Sequence, residues 1–273
     1  MSLHRYLFYL SYIIEYDLLI GLITDFGIQD QYVFQLKAVI RSITDCEVVD
    51  ITHLVPPFSI ETGAFLLLQA SKYAPRGSIL VGVVDPGVGG SRKCIAVKTK
   101  REIIFVGPDN GLMWEAINHC GYLEAREITS EKYYTKKGGT FDGRDVFAPA
   151  AAHLAEGMSF EDIGPKLPRI EQLKFPEPKI TKSLLHAYVL HTDRFGNSIL
   201  NITAELFHRW AANAERFCIN ASGESFFAKL YTSYSQMKGR GLITGSTGLL
   251  ELSSFKPQNG GLKGKHVFIS KMD

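Results

Sequence analysis

Three short stretches of this sequence join a carboxylate to glycine: Thr24-Asp25-Phe26-Gly27, Asp85-Pro-Gly-Val-Gly-Gly-Ser-Arg92 and Thr140-Phe-Asp142-Gly-Arg-Asp145. Glycine lets backbone approach a ligand closely while the acid anchors it, so the combination suits a small polar molecule. Asp and Gly are also ordinary turn residues, and one such loop alone carries little. Three within one α/β region point to a site. Commoner readings of the second loop fail. It lacks the GxxxxGK(S/T) pattern of a phosphate-cradling loop. Lys93 to Lys98 reads as a strand, where a dinucleotide fingerprint or a methyltransferase loop requires a helix. The 8 histidines form no HxH or HxxxH pair, so no metal site is expected. Asp25-Phe-Gly27 has no accompanying kinase motifs.

Such loops need a frame. Leu18 to Thr24 is a continuous apolar run, as in a strand buried on both faces of a parallel sheet. Gln31 to Ile43 places Tyr32, Leu36, Val39, Ile40 and Ile43 at helical spacing. Glu47–Thr52 reads as a strand, Ile60–Tyr73 as a helix, and Ile79–Val84 as a third strand. Strands near Cys94–Lys98 and Ile103–Val106, and helices at Leu112–Ile117 and Val146–Ala155, complete an α/β layered domain with a largely parallel sheet. Ligands in such sheets bind beyond the carboxyl ends of the strands. Pro165, Pro168, Pro176 and Pro178 then read as a connector. Beyond it, His186–Thr192 alternates, Asp193–Asn197 forms a turn, and β-type stretches start at Ser198, Gly239 and Lys265. The expected organisation is an extension at 1–16, an α/β domain at 17–180 and a small all-β domain at 181–273.

A chain of 273 residues suits two domains. With 30 basic against 28 acidic residues, scattered along the chain, nothing suggests nucleic acid. Cys46, Cys94, Cys120 and Cys218 are widely spaced, which fits a reduced, cytoplasmic protein whose cysteines serve as apolar filler. The apolar run Tyr6–Ile14 ends at Glu15, lacks a cleavage site and is too short to span a bilayer, so no membrane association is expected.

Six motifs occur in order: Thr24-Asp-Phe-Gly27, Val49-Asp-Ile-Thr-His53, Gly82-Val-Val-Asp-Pro-Gly-Val-Gly89, Gly107-Pro-Asp-Asn-Gly-Leu112, Gly143-Arg-Asp-Val-Phe-Ala-Pro149 and Asp193-Arg-Phe-Gly-Asn197. Together they resemble the S-adenosylmethionine hydroxide adenosyltransferase family, relatives of the fluorinases and chlorinases. The resemblance implies hydrolysis of S-adenosylmethionine to adenosine and methionine by attack at ribose C5′. It implies an α/β domain, a β-barrel-like second domain, and a homotrimer with sites at subunit interfaces. S-adenosylmethionine is then the substrate and no cofactor is expected. Asp25 would hold the ribose hydroxyls, Asp30 would lie near the methionine amine, and Phe58 would stand where the halogenases place a tryptophan. Asp193 and Asn197 would meet the amino-acid and adenine portions, with Ser246 near the carboxylate. Thr247 occupies the place of a halogenase arginine.

The family activates water with an Asp–Arg–His set. Asp85 and Arg92 match its first two positions, but Asp142 stands where the family has histidine. With both acids ionised the trio sums to −1, which disfavours hydroxide and suits a general base acting on neutral water. The structural alternative is that Asp142 pairs with a nearby arginine such as Arg144 and touches no water. A halogenase is the nearest enzymatic alternative, but two acids would repel a halide, and Gly143 lacks the hydroxyl that the fluorinase uses there. A non-catalytic binder of S-adenosylmethionine or adenosine is the alternative outside enzymology.

Overall fold

The computed structural model describes residues 18–221, 223–254 and 266–272, so the expected N-terminal extension lies outside the described residues. The chain divides into two compact units, Met1–Leu173 and Lys174–Asp273.

The first unit runs β1 (Leu19–Thr24), α1 (Tyr32–Ile43), β2 (Glu47–Thr52), α2 (Ile60–Ser71), β3 (Ile79–Val83), β4 (Cys94–Thr99), β5 (Ile104–Pro108), α3 (Trp114–Cys120), β6 (Tyr122–Glu127), α4 (Ala148–Ala155) and β7 (Lys166–Leu167). Its sheet has the order β2-β1-β3-β5-β4-β6-β7. Side chains alternate across it. Ile20, Leu22, Val81 and Ala96 pack with Leu36 and Ile40 of α1 and the alanines of α4. Ile23, Leu80, Val97 and Phe105 pack on the opposite side with Leu67 of α2 and Ala116 of α3. Three layers result, with the core on both faces of the sheet.

Among neighbouring strands only the β2–β1, β1–β3 and β3–β5 pairs are parallel; β4, β6 and β7 are added by antiparallel pairing, so the sheet is mixed. The cause is the short link from β4 to β5: a connection of four residues, 100–103, closes a hairpin but cannot carry a crossover. One consequence matters for chemistry. Because Cys94 pairs with Pro108, the start of β4 lies at the carboxyl edge of β3 and β5, and the β3–β4 connection passes over the end of β5.

The second unit contains β8 (Lys179–Ile180), β9 (Leu184–Thr192), β10 (Ser198–Thr203), α5 (Ala204–Ala211), β11 (Arg216–Ala221), β12 (Glu224–Tyr231), β13 (Arg240–Thr244), β14 (Leu249–Ser254) and β15 (His266–Lys271). Pairing of β9 with both β10 and β15 closes a seven-strand barrel, with β8 added outside β9. Helix α5 is an element that the β-type reading from Ser198 did not include. The Thr203 hydroxyl caps it by accepting the Leu206 N–H at 3.2 Å. Its apolar face, Phe207, Trp210 and Ala211, packs into the barrel core with Phe217.

Candidate active site

The three acidic glycine loops converge. Asp85 leaves the end of β3, and Arg92 enters β4 from the same edge. The Arg92 Nε lies 3.1 and 3.0 Å from the two Asp85 oxygens, and Nη2 also donates to Asp85 Oδ2. The same Nη2 donates to Asp142 Oδ2 at 2.6 Å. Relative side-chain exposures are 12% for Arg92, 5% for Asp85 and 3% for Asp142, so the cluster is shielded from bulk water. Burial works against the Arg92 charge, but hydrogen bonds to Asp85 and Asp142 outweigh it and its pKa is raised. One fixed cation therefore bridges two carboxylates. Asp142 Oδ1 is buried without any hydrogen-bond partner among the described residues. A buried carboxylate oxygen left so is costly, and is the kind of group that serves chemistry.

Asp142 reaches this place because the chain makes one wide π-turn at Gly143–Phe147 before α4, closed by the Ala148 N–H donating to the Gly143 carbonyl. Such turns are frequent at functional sites. The turn is wedged by an edge-on aromatic cluster of Phe26, Tyr32 and Phe141, with ring centroids 5.3 to 6.0 Å apart. A Cβ at Gly143 would lie 3.1 Å from Phe141, 3.2 Å from Phe26 and 3.3 Å from Leu36, so this cluster crowds any larger residue. Arg144 is not the partner of Asp142. It turns away to bind Asp145 at 2.7 and 2.9 Å and Gln35 at 3.1 Å.

The first loop lies alongside. Asp25 is half-buried, and burial raises its carboxyl pKa; the Phe58 amide pulls it back, while Asp85 adds to the rise. Asp25 Oδ2 accepts the Phe58 N–H at 2.8 Å. Phe58 has φ +63°, an uncommon conformation for a bulky residue, and its ring is exposed. Asp30 is exposed just before α1. Asn110 ties the loop ends together, donating to the Val84 carbonyl at 2.9 Å and accepting the Leu112 N–H at 3.1 Å.

A relay that runs from buried Thr24 and His53 out to the more exposed Asp50 and Lys37 underlies Asp25, unassigned by sequence reasoning. The Thr24 hydroxyl and His53 Nδ1 are 2.8 Å apart, His53 Nε2 and Asp50 Oδ1 are 3.0 Å apart, and Lys37 donates to Asp50 at 2.6 Å. Partial burial raises the Asp50 pKa, but the hydrogen bonds from Lys37 and His53 outweigh it and lower it overall. The Gly27 N–H donates to the His53 carbonyl at 2.8 Å, so the relay fixes the turn on which Asp25 stands. Cys94 was likewise read as filler. Its signal was its spacing: two residues beyond Arg92 in an extended segment, it shares a side of the chain with that residue.

In the second unit the structure brings Asp193 and Asn197 together. Asp193 Oδ1 accepts the amides of Phe195 and Asn197 at 2.9 and 2.8 Å, and Oδ2 accepts Asn197 Nδ2 at 2.8 Å. The acid builds the turn that exposes Phe195. Ser246 is exposed in the β13–β14 turn, next to Gly245, where a Cβ would lie 1.7 Å from Glu251 Oε1. Buried Glu251 accepts the Tyr234 hydroxyl at 2.5 Å. Among the described residues no cluster of three or more His, Cys, Asp or Glu is placed to hold a metal, and no helix is long and apolar enough to cross a membrane.

Residues 20–164 match the family model described as the SAM hydroxide adenosyltransferase N-terminal domain, and residues 187–258 match that of the C-terminal domain. The chain is 38% identical over 213 residues to the (R)-S-adenosyl-L-methionine hydrolase of Salinispora arenicola, spanning 72% of this chain and 81% of that one. A protein of the same name from Methanocaldococcus jannaschii is 39% identical over 189 residues, 67% of this chain and 66% of its own. A fluorinase of Actinopolyspora mzabensis is 29% identical over 189 residues, 60% of this chain and 63% of its own. The crystal structure of an uncharacterized conserved protein from Thermotoga maritima superposes with a TM-score of 0.84 at 33% identity, covering 92% of this chain and all of that one.

Proposed function

This chain belongs to the S-adenosylmethionine hydroxide adenosyltransferase family, and from that premise we propose how its residues carry the reaction. It is an enzyme that hydrolyses S-adenosylmethionine to adenosine and methionine. The water oxygen forms a bond to ribose C5′ as the C5′–sulfur bond breaks. The electron pair of that bond leaves with methionine as a neutral thioether, and one water proton passes to Asp142. The sulfonium is already a good leaving group, so no general acid is needed.

The difficulty lies in the nucleophile, since bulk water has a pKa of about 15.7. Orienting it in line and giving its proton a place to go lowers that barrier. The observation that carries this reading is the Arg92 bridge between Asp85 and Asp142, with Asp142 Oδ1 buried and unpartnered. Arg92 and Asp85 orient the water and Asp142 Oδ1 takes its proton. Asp25 holds the ribose diol, since one carboxylate accepts from both hydroxyls of a cis-diol. Phe58 packs against the ribose, Asp30 approaches the methionine amine, and Asp193, Asn197 and Ser246 bind the amino-acid and adenine portions.

S-adenosylmethionine is the substrate and no cofactor takes part. The enzyme works in the cytoplasm, which its four free cysteines support. It forms a homotrimer in which a neighbouring copy completes each site; the exposed Ile28, Leu54 and Phe58 near the first loop support a second wall there. A halide as nucleophile is disfavoured by two buried acids and by the crowding at Gly143.

Incubation with S-adenosylmethionine in oxygen-18 water tests the reading. Label in the adenosine 5′-hydroxyl is expected. 5′-Chloro-5′-deoxyadenosine in chloride buffer would make it a halogenase, and tight binding with no methionine release would make it a binder.

A further inference from the structure

Beside the bridging arginine stands a group that the mechanism above does not use. Cys94 is 1% exposed and opens β4, where its backbone is fixed by pairing with Pro108 and by the Ile128 N–H donating to its carbonyl at 2.8 Å. Arg92 Nη1 donates to Cys94 Sγ at 3.0 Å. The thiol in turn donates to Asp142 Oδ2 across 3.8 Å, a separation within the range of weak sulfur hydrogen bonds. Burial pushes this thiol up to about 11, with Arg92 pulling the other way, so it keeps its proton at neutral pH.

We propose that Cys94 is a positioning residue for Asp142: it accepts from Arg92, donates to Asp142 Oδ2, and thereby leaves Oδ1 as the oxygen that receives the water proton. The inference rests on Asp142 being the base. Oδ2 already has two donors, Arg92 Nη2 and the thiol, whereas Oδ1 is buried and has none. A carboxylate held this way cannot rotate to exchange its oxygens without breaking both contacts. The charged and titratable groups around it are Arg92 and Asp85 from the glycine loop and Cys94 from β4. Lys137, from the segment before the π-turn, acts on the thiol. Asp145, one turn further on, is neutralised by Arg144.

The consequence is a pH signature. Hydrogen bonds to the charged form of a carboxylate favour it, and losing the thiol removes one of them. Activity needs the unprotonated acid, and its acid limb therefore moves to higher pH. The test measures adenosine release against pH for the wild type, Cys94→Ser, Cys94→Ala and Cys94→Val, the last retaining volume if the alanine variant does not fold. Serine, which also donates and accepts, is expected to keep the wild-type profile. Alanine or valine is expected to lower kcat about tenfold with KM little changed, and to raise the acid limb by about half a pH unit. A folded alanine or valine variant with wild-type kcat and profile overturns the role of Cys94. Absence of labelled adenosine from the wild type itself would instead remove the hydrolase reading.

Discussion

Asp25 accepts the amide of Phe58 at 2.8 Å, and Phe58 is held with φ +63°. The acid proposed to grip the ribose diol therefore also pins a strained turn 33 residues further along the chain. A left-handed conformation costs a bulky residue about 1 kcal/mol or more. Two substitutions separate the roles. Phe58→Gly relieves the backbone and should leave the Tm unchanged or higher, while KM rises because the ring is gone. Asp25→Ala loses both the diol and the turn, and kcat/KM should fall about a hundredfold, mostly through KM. Steady-state kinetics and thermal melts on both variants decide. Unchanged KM in both would detach this pair from the substrate.

Asp142 stands where the family resemblance implies a histidine, which invites a direct exchange. Asp142→Asn keeps the shape and an acceptor for Arg92 but cannot take a proton, and kcat should drop about a hundredfold. Asp142→His supplies the trio that the resemblance implies, and it should retain activity with an acid limb nearer the histidine range. The check is kcat against pH for the three proteins. An asparagine variant as active as the wild type would end the role of Asp142 as base.

The alternation of apolar runs made the α/β layers readable, and the family resemblance marked Asp85 and Arg92 as a pair before their contact was known. Direction was another matter. The buried runs at Cys94–Thr99 and Ile104–Pro108 look alike whether parallel or antiparallel, and only the four-residue link between them settles it. Asp142 offered a neighbour two residues away, Arg144, and a partner fifty residues away, Arg92. The resemblance set Asp142 with Arg92, and proximity in sequence offered Arg144 as the alternative. The π-turn and the aromatic wedge that select Arg92 are tertiary facts. Helix α5 was hidden for a related reason: its eight residues sit between strands, and its apolar face acquires meaning only inside a closed barrel.

Arg92 is the sole cation in contact with Asp85 and Asp142 among the described residues, so removing it should be felt in folding as well as catalysis. Arg92→Met leaves two buried acids without a counter-charge, at a cost of about 3 kcal/mol. The stability lost at neutral pH should return in part at low pH, where the uncompensated negative charge is reduced. Pairing the change with Asp142→Asn should recover part of the loss, because one of the acids is gone. Denaturant melts of the single and double variants at pH 5 and pH 8 measure this. Additive losses at both pH values would mean that the bridge is energetically idle.

Glu251 gives the barrel its own pH dependence. Burial raises its carboxyl, the Tyr234 hydroxyl pulls it back, and Asp193 adds to the rise. Between the ordinary glutamate value, about 4.3, and the raised one, the folded chain holds a proton that the unfolded chain has released. Stability therefore falls as pH climbs through that window and stays lower above it. Glu251→Gln removes the charge while keeping an oxygen that accepts from Tyr234. Its barrel should melt about 3 °C above the wild type at pH 8, and the gap should close as pH is lowered toward the ordinary glutamate value. Calorimetry across that range follows it directly. A gap of the same size at every pH would show that Gln stabilises by packing alone and that the Glu251 carboxyl does not titrate with folding.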